Sequence, residues 1–466
     1  MANNEIQESS SLSISNGSDA SKQKLTDEFL SSQRSMTGAP AALSDISAST
    51  GIPKISDAAP RITGYMEQPG NGEDIVKHAI ESAHQSVNMW MFHLSDPSAV
   101  QSLIAAHDQN HADVQVILDK GNLAKDPNAS KLADQMKADG ITVVPSSDAF
   151  TITHPKTFVI DGKTSYITSM NLTRALPHFR DFGISTDDPM IANDLDRLFQ
   201  ADLKNSAGNT KDTPTPVSPF LVVSPIVDAP DASALNVDQQ NINATLSSGY
   251  SDIEKSAAQA DFGKASKEFS PDQQLAAERD LSQMKNGDQL VQLFAQKMQD
   301  ENIDRIAGIF DRAQTKVVGE TENIGAPDVL NSIISAAKRG VEVDLVIPGN
   351  SLGSVAKNSQ AVSQLETASA DIEKQGLPGI HIKEMPPMGN SGQSLPNPDQ
   401  PYVHAKWLVA DDNKEAYLGS VNFTPNSLYA AREIGLIFAD APTMQKMVTA
   451  FNKDWNAAQL PPDQQK

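Results

Sequence analysis

Two short stretches of this chain carry the same polar side chains in the same order. The first consists of His154, Lys156, Asp161, Ser169 and Asn171. The second consists of His404, Lys406, Asp411, Ser420 and Asn422. This combination of imidazole, ammonium and amide groups indicates chemistry on a phosphate group. Two matches of this length in one chain argue against coincidence.

The spacing within each stretch predicts a β-hairpin that gathers these groups at one place. Residues two apart on a strand face the same side. His154 and Lys156 therefore share a face, as do Ser169 and Asn171 on the returning strand. Asp161 falls on the opposite face, which favours a structural role near the turn. The second stretch has one additional residue, and it falls in that turn, where insertions are tolerated.

The elements that must position these residues are also duplicated. Apolar periodicity predicts helix, strand, helix and strand before each motif. In the first copy these lie over 75–84, 86–94, 97–107 and 114–119, followed by a helix over 131–138 and a strand over 141–145. In the second copy they lie over 303–313, 316–324, 327–337 and 341–348, followed by a strand over 380–385. This alternation predicts an α/β fold with a mixed sheet in each copy.

Changes of composition along the chain predict the domain boundaries. Residues 1–55 are rich in Ser and poor in aromatic residues, which predicts a disordered tail. The two copies are expected over 56–209 and 301–460. Residues 210–300 are expected to hold a linker, a strand over 220–225 that begins the second copy, and a helical insertion. The insertion is either a surface feature or a cap over the active site.

The composition restricts the class of protein. The chain has 466 residues, which is enough for two or three domains. It has no cysteine, which excludes disulfides, thiolate nucleophiles and cysteine-based metal sites. The formal net charge of −22 disfavours a general affinity for nucleic acid, although a locally basic groove remains compatible with it.

The sequence also predicts where the protein is found. It contains no apolar run of about 18 residues, so a transmembrane segment is not expected. The first residues lack the pattern of a standard secretory signal peptide. We therefore expect a soluble protein, either cytoplasmic or secreted by another route, for example as a translocated effector.

The duplicated motif resembles the signature of the phospholipase D superfamily, HxKxxxxD followed by GSxN, which is present twice per active site. The resemblance extends over nearly the whole chain from about residue 56, apart from the insertion. It implies two tandem phospholipase D-like α/β/α domains, packed face to face as a pseudo-dimer. One departure is Thr168, which stands where the superfamily usually has glycine.

The resemblance also implies roles for the site residues. His154 would attack phosphorus and form a covalent phosphohistidine. His404 would protonate the leaving alcohol and then activate water or an acceptor alcohol. With lysines to stabilise the phosphate, no metal ion or other cofactor is required. Asp181 and Glu433 occupy the places of carboxylates that orient the histidines.

The remaining motif residues divide into two groups under this resemblance. The phosphate-binding group comprises Lys156, Lys406, Asn171, Asn422, Ser169 and Ser420. Asp161 and Asp411 complete the catalytic signature, although the strand faces favour a structural role for them.

The superfamily includes phospholipases, phosphatidyl-transferring synthases, nucleases and DNA-repair phosphodiesterases, so three hypotheses remain. The first is hydrolysis of phospholipid head groups at a membrane surface, with or without transfer to an alcohol, by a monomer with an intramolecular active site. The second is a nuclease, which would need a basic groove lined with aromatic side chains, whereas aromatic residues make up 5%. The third is a secreted effector with a specialised lipid substrate. An interaction protein on an inactive scaffold is disfavoured because both motifs are complete.

Overall fold

The computed structural model describes residues 59–208, 218, 220–224, 301–349, 358–385, 401–411 and 413–461. The tail predicted over 1–55 and the helical insertion predicted before residue 300 lie outside these ranges. Within them, no helix combines the length and apolar character that crossing a membrane would require.

The first copy forms a mixed sheet, called sheet one here. Its strands are β1 Ile62–Gln68, β2 Ser86–Met91, β3 Asp113–Leu118, β4 Thr142–Pro145, β5 Lys156–Ile160, β6 Thr164–Thr168 and β7 Phe179–Thr186. They are arranged in the order β1-β7-β6-β5-β2-β3-β4. Strands β2, β3 and β4 are parallel, and the hairpin of β5 and β6 continues the sheet in antiparallel fashion.

Helices cover both faces of sheet one. They are α1 Gly72–Glu81, α2 Pro97–Asn110, α3 Lys120–Lys125, α4 Pro127–Ala138 and α5 Pro189–Gly208, with a short 3-10 helix at Leu176–His178. Helix α2 begins where the Asp96 side chain caps the first turn. On one face Val76 and Leu103 join the core beneath α1 and α2, and on the other α5 contributes Leu195 and Phe199 to a separate core.

The second copy repeats this arrangement in sheet two. Its strands are β8 Leu221–Ser224, β9 Lys316–Thr321, β10 Glu342–Pro348, β11 Ile380–Met385, β13 Lys406–Ala410, β14 Glu415–Gly419 and β15 Glu433–Phe438. Strand β12, Tyr402–Val403, pairs with β7 of sheet one instead. The order of sheet two, β11-β10-β9-β13-β14-β15-β8, matches that of sheet one strand for strand, counted from the opposite edge. The predicted duplicated α/β fold is confirmed.

The helices of the second copy are α6 Glu301–Arg312, α7 Pro327–Lys338, α8 Ser359–Glu373, α9 Pro425–Tyr429 and α10 Ala441–Ala457. The sequence did not predict α8, nor β1 in the first copy. The strands predicted over 86–94 and 316–324 end earlier, at Met91 and Thr321. The chain leaves each sheet there, and Leu94 and Ile324, three residues beyond each strand, form isolated bridges to the loop after the motif hairpin.

The two sheets pack face to face through a core that both copies supply. Trp90 and Phe199 of the first copy meet edge to face, with ring centroids 4.9 Å apart. Phe182 of the first copy contacts Trp407 of the second at 5.6 Å, and Trp407 in turn contacts Phe451 at 6.0 Å. These residues form one buried cluster. The interface of the predicted pseudo-dimer is therefore stabilised by apolar packing, like the core of a single domain.

Two buried arginine–aspartate pairs cross the interface. Arg180 binds Asp454 of α10 with its Nε at 2.5 Å and its Nη2 at 2.9 Å. Arg432 binds Asp202 of α5 with its Nη2 at 2.8 Å. Each arginine directly precedes one of the carboxylates that the sequence assigns to a histidine. The ion pairs therefore fix the strands that carry those carboxylates.

Backbone hydrogen bonds also connect each motif to the other copy. The His154 N–H donates to the carbonyl of Arg432 at 2.8 Å, and the His404 N–H donates to the carbonyl of Arg180 at 3.1 Å. The start of each motif is therefore held against the strand that carries the opposite carboxylate.

We predict that Arg180→Met lowers the free energy of unfolding by about 3–5 kcal/mol, because it leaves the buried Asp454 carboxylate without its cation. Urea denaturation measures this. The double variant Arg180→Met/Asp454→Leu should recover part of the loss, since it removes the unpaired charge. Lys374→Met, which removes an exposed ion pair with Asp371, is the control and should have little effect. If Arg180→Met and Lys374→Met lowered the free energy of unfolding equally, the role of the Arg180–Asp454 pair would be contradicted.

Candidate active site

Each motif histidine is hydrogen-bonded to a carboxylate from the other copy. His154 Nδ1 lies 2.9 Å from Glu433 Oε2 and 3.0 Å from Oε1. His404 Nδ1 lies 2.9 Å from Asp181 Oδ1. A carboxylate at Nδ1 favours the tautomer with its proton there and leaves Nε2 available for reaction. The structure thus brings together the histidines and carboxylates selected from the sequence, in an exchanged pairing that the sequence did not predict.

The serines of the motifs bind these carboxylates. Ser169 Oγ donates to Asp181 Oδ1 at 2.5 Å, and Ser420 Oγ donates to Glu433 Oε2 at 2.5 Å. Each hydroxyl also accepts a backbone N–H from the neighbouring strand, at 3.1 Å and 3.0 Å respectively. The hydroxyl groups of Ser169 and Ser420 are therefore engaged with these carboxylates and strands, and direct binding of phosphate by them stays a prediction.

Asp161 and Asp411 lie at the hairpin turns, away from the histidines. The Asp161 carboxylate accepts the backbone N–H groups of 84–86 at 2.7–3.2 Å. The Asp411 carboxylate accepts those of 314–316 at 2.8–3.3 Å. These bonds fix each hairpin to the beginning of the adjacent strand. These contacts fit the structural role expected from the strand faces, and the assignment of both aspartates to the catalytic group stays a prediction.

The two motif lysines are fully buried but have different surroundings. Each donates to the carbonyl of the histidine two residues before it: Lys156 to that of His154 at 2.6 Å, and Lys406 to that of His404. Lys406 also lies 3.2 Å from the Glu322 carboxylate. Lys156 faces the ring of Phe92, 4.7 Å from its centroid, and meets no carboxylate among the described residues. Burial, together with the nearby Lys406, lowers the pKa of Lys156 well below its ordinary value, so an anionic ligand would stabilise its charged form.

The asparagines complete the two halves of the site and are nearly buried, with 8% of Asn171 and 7% of Asn422 exposed. Asn422 Oδ1 accepts the N–H of Asn323 at 3.2 Å, and its Nδ2 lies 3.5 Å from Glu322. Asn171 Oδ1 is buried without a hydrogen-bond partner among the described residues. This oxygen can accept a hydrogen bond from a ligand, whereas only the Nδ2 group of Asn171 could donate one to a phosphate oxygen.

Thr168 stands where the superfamily usually has glycine, and its side chain forms a local hydrogen bond with the backbone. Its hydroxyl accepts the N–H of Met170 at 3.2 Å. In the second copy, Gly419 leaves space for Tyr417, whose hydroxyl accepts the equivalent N–H of Val421 at 3.2 Å. The same backbone donor is thus satisfied by threonine in one copy and by tyrosine in the other.

Burial determines the protonation of the His154–Glu433 pair. Burial, assisted by Lys156 and Lys406, lowers the pKa of His154 well below its ordinary value. Burial also raises the pKa of Glu433 to about 7, against the opposing effect of Lys156. His154 is therefore a neutral imidazole at physiological pH, which is the form that can act as a nucleophile.

A cluster of potential metal ligands lies elsewhere, on sheet two. Ligand atoms of Glu342, Asp344 and His381 lie within 4.8 Å of one another. The ammonium of Lys316 lies between the two acids, 3.2 Å from Glu342 and 2.5 Å from Asp344. The Lys316 ammonium compensates the negative charge of Glu342 and Asp344. The cluster is therefore explained as an ion-pair network without a metal ion.

The chain matches a family model described as cardiolipin synthase, PLD-like domain, over residues 76–203 and 306–455. Together these ranges cover more than half of the 466 residues. They coincide with the two copies found in the fold.

Two curated relatives come from Dictyostelium discoideum. Phospholipase D Y is 27% identical over 132 residues, which is 28% of this chain and 25% of the relative. Phospholipase D Z is 27% identical over 140 residues, which is 29% of this chain and 28% of the relative. The matches therefore span only about a quarter of the length of each relative.

Two solved structures that resemble this chain differ in how much of it they cover. The phosphatidylserine synthase of Haemophilus influenzae Rd KW20 aligns over 86% of this chain and 87% of its own, with a TM-score of 0.52 and 14% identity. Nuc of Salmonella typhimurium, a phospholipase D family member, covers 31% of this chain and 95% of its own, with a TM-score of 0.29 and 22% identity. At such identities the likeness to the synthase concerns the fold alone.

We predict that Ser420→Ala raises the pKa of Glu433 further above 7, by about one pH unit. The serine hydroxyl donates to the carboxylate and so favours its charged form, and removing that donor favours the protonated form. Carboxyl ¹³C NMR of glutamate-labelled protein measures this titration. Ser82→Ala, whose hydroxyl binds a carbonyl in α1, is the control. A Glu433 titration that does not change in Ser420→Ala would show that the hydrogen bond is unimportant.

Proposed function

Because this chain belongs to the phospholipase D superfamily, we propose that it is a phosphodiesterase of the phospholipase D type, which hydrolyses phospholipid head groups or transfers the phosphatidyl group to an alcohol. The exchanged histidine–carboxylate pairing carries this proposal. It presents two imidazoles with Nδ1 engaged and Nε2 available, beside two buried lysines and two asparagines. This is what a double displacement at phosphorus requires.

In the first step the Nε2 lone pair of His154 forms a bond to phosphorus. The bond from phosphorus to the leaving oxygen breaks, and that oxygen takes a proton from Nε2 of His404. In the second step His404 removes a proton from water or an acceptor alcohol, whose oxygen displaces His154 from phosphorus. The neutral form of His154, favoured by its burial, suits the attacking role.

Lysine and asparagine donors would hold the non-bridging phosphate oxygens through both steps. Lys156 is the best placed, since it has no carboxylate partner among the described residues. The Nδ2 group of Asn171, in the same half of the site, would be the amide donor to these oxygens. Donors fixed in a buried site stabilise the charge that develops on these oxygens without having to reorganise.

The charge of the protein favours a lipid over a nucleic acid as substrate. At a formal net charge of −22, a polyanion is repelled at long range. A phospholipid at a membrane surface presents one phosphodiester rather than a continuous row of them. Since both histidines come from one chain, a monomer that binds the surface peripherally contains a complete site.

The test is head-group release from mixed phospholipid vesicles that contain a trace of primary alcohol. The wild-type protein is expected to release choline or ethanolamine and to form phosphatidylalcohol. His154→Ala and His404→Ala should each reduce this by a factor of about 10³ or more. The control, His78→Ala, changes an exposed histidine in α1 and should leave the activity unchanged.

Phosphatidylalcohol formation that disappears in both site variants would support a phosphohistidine mechanism on lipids. Absence of release from every lipid, with histidine-dependent cleavage of DNA or RNA by the same folded protein, would overturn the lipid proposal in favour of a nuclease.

A further inference from the structure

The two halves of the site use equivalent residue types at their motif positions but differ in charge at the end of a neighbouring strand. Strands β2 and β9 are counterparts, and each is 6 residues long. The residue that follows is Phe92 in the first copy and Glu322 in the second. An aromatic ring in one half therefore corresponds to a carboxylate in the other.

Phe92 gives the first half an uncharged wall. Its ring meets the imidazole of His154 edge to face, with centroids 4.5 Å apart and an angle of 71°. The same ring lies under the ammonium of Lys156, at 4.7 Å. The carboxylate that contacts His154 is Glu433, and it lies at Nδ1, on the side away from the reacting nitrogen.

Glu322 gives the second half a fixed negative charge on the reacting side. Its Oε2 lies 3.9 Å from Nε2 of His404 and 3.2 Å from the ammonium of Lys406. Its Oε1 accepts a hydrogen bond from the hydroxyl of Tyr402 at 2.9 Å. Since Asp181 binds Nδ1, the His404 imidazole stands between two carboxylates.

The charge on Glu322 is maintained by its neighbours. Burial alone would raise the pKa of Glu322, but Lys406 and His404 outweigh that effect and lower it below its ordinary value. The charged or titratable groups that surround the two imidazoles are Glu322, Asp181, Glu433, Lys156 and Lys406. Among these described groups, the Glu322 carboxylate lies nearest an Nε2 atom, 3.9 Å from that of His404.

We propose that Glu322 is a positioning residue that holds a proton on Nε2 of His404, so that His404 begins the reaction as the acid. An imidazolium between two carboxylates is stabilised relative to the neutral ring. His154 has no counterpart of Glu322 and begins as the neutral nucleophile. Glu322 would thereby assign different roles to two nearly symmetric histidines. This inference rests on the phosphodiesterase function proposed above.

Leaving-group dependence distinguishes this role from a merely structural one. The choline of phosphatidylcholine needs a proton to depart, whereas the nitrophenolate of a p-nitrophenyl phosphodiester does not. Glu322→Gln should slow the first step with phosphatidylcholine by about tenfold or more, and with the nitrophenyl ester by less than about threefold. Glu322→Asp, which keeps the charge, should restore part of the lost rate. Glu373→Gln, on the exposed side of α8, is the control.

Two outcomes of this assay would overturn the inference. Equal losses with both substrates would make Glu322 a structural or phosphate-binding residue. Faster turnover, or tighter binding of inorganic phosphate, in Glu322→Gln would mean that the carboxylate obstructs the phosphate site.

An NMR measurement without substrate tests the inference independently of any activity. In ¹⁵N-histidine NMR spectra at a single pH, with resonances assigned through His404→Ala, the Nε2 signal of His404 should move toward that of an unprotonated nitrogen in Glu322→Gln relative to the wild type. The signal of His154 should move less. An unchanged Nε2 signal of His404 would overturn the role of Glu322. Loss of the expected shift therefore counts against Glu322, whereas failure of wild-type head-group release counts against the proposed function.

Discussion

The hydrogen bonds between His154 and Glu433, and between His404 and Asp181, are the contacts on which the rest of the site depends. Each joins an imidazole of one copy to a carboxylate of the other. Neither copy alone can present a histidine with its Nδ1 engaged. The packing of the two sheets, and the apolar core between them, are therefore a condition for the chemistry as well as for stability.

Burial makes this arrangement demanding. Two lysines, two histidines and several carboxylates are removed from water at the interface, and each must find compensation there. Beside the site, the charges of Arg180 and Asp454 compensate each other, as do those of Arg432 and Asp202. Lys156 forms no ion pair among the described residues, and Glu433, Asp181 and Glu322 support its charge from a longer distance. A phosphate bound beside it, as proposed above, would stabilise its charged form.

The sequence predicts much of this because the duplication supplies two independent observations of each element. Strand alternation separated His154 from Asp161 correctly, since a strand places successive residues on opposite faces. Periodicity could not show which carboxylate serves which histidine, because that depends on how two sheets pack. It also missed Glu322, whose counterpart is Phe92. A residue-by-residue alignment of the two copies would have identified Glu322, because an aromatic residue in one copy stands opposite a carboxylate in the other.

The central claim, that each histidine depends on the carboxylate of the other copy, is tested most directly by the Nδ1–H resonances of ¹⁵N-histidine-labelled protein. We expect Glu433→Gln to shift or remove the signal of His154 while leaving that of His404 in place. Asp181→Asn should have the converse effect. Perturbation of His154 by Asp181→Asn, and of His404 by Glu433→Gln, would instead place each carboxylate on the histidine of its own copy and contradict the exchanged site.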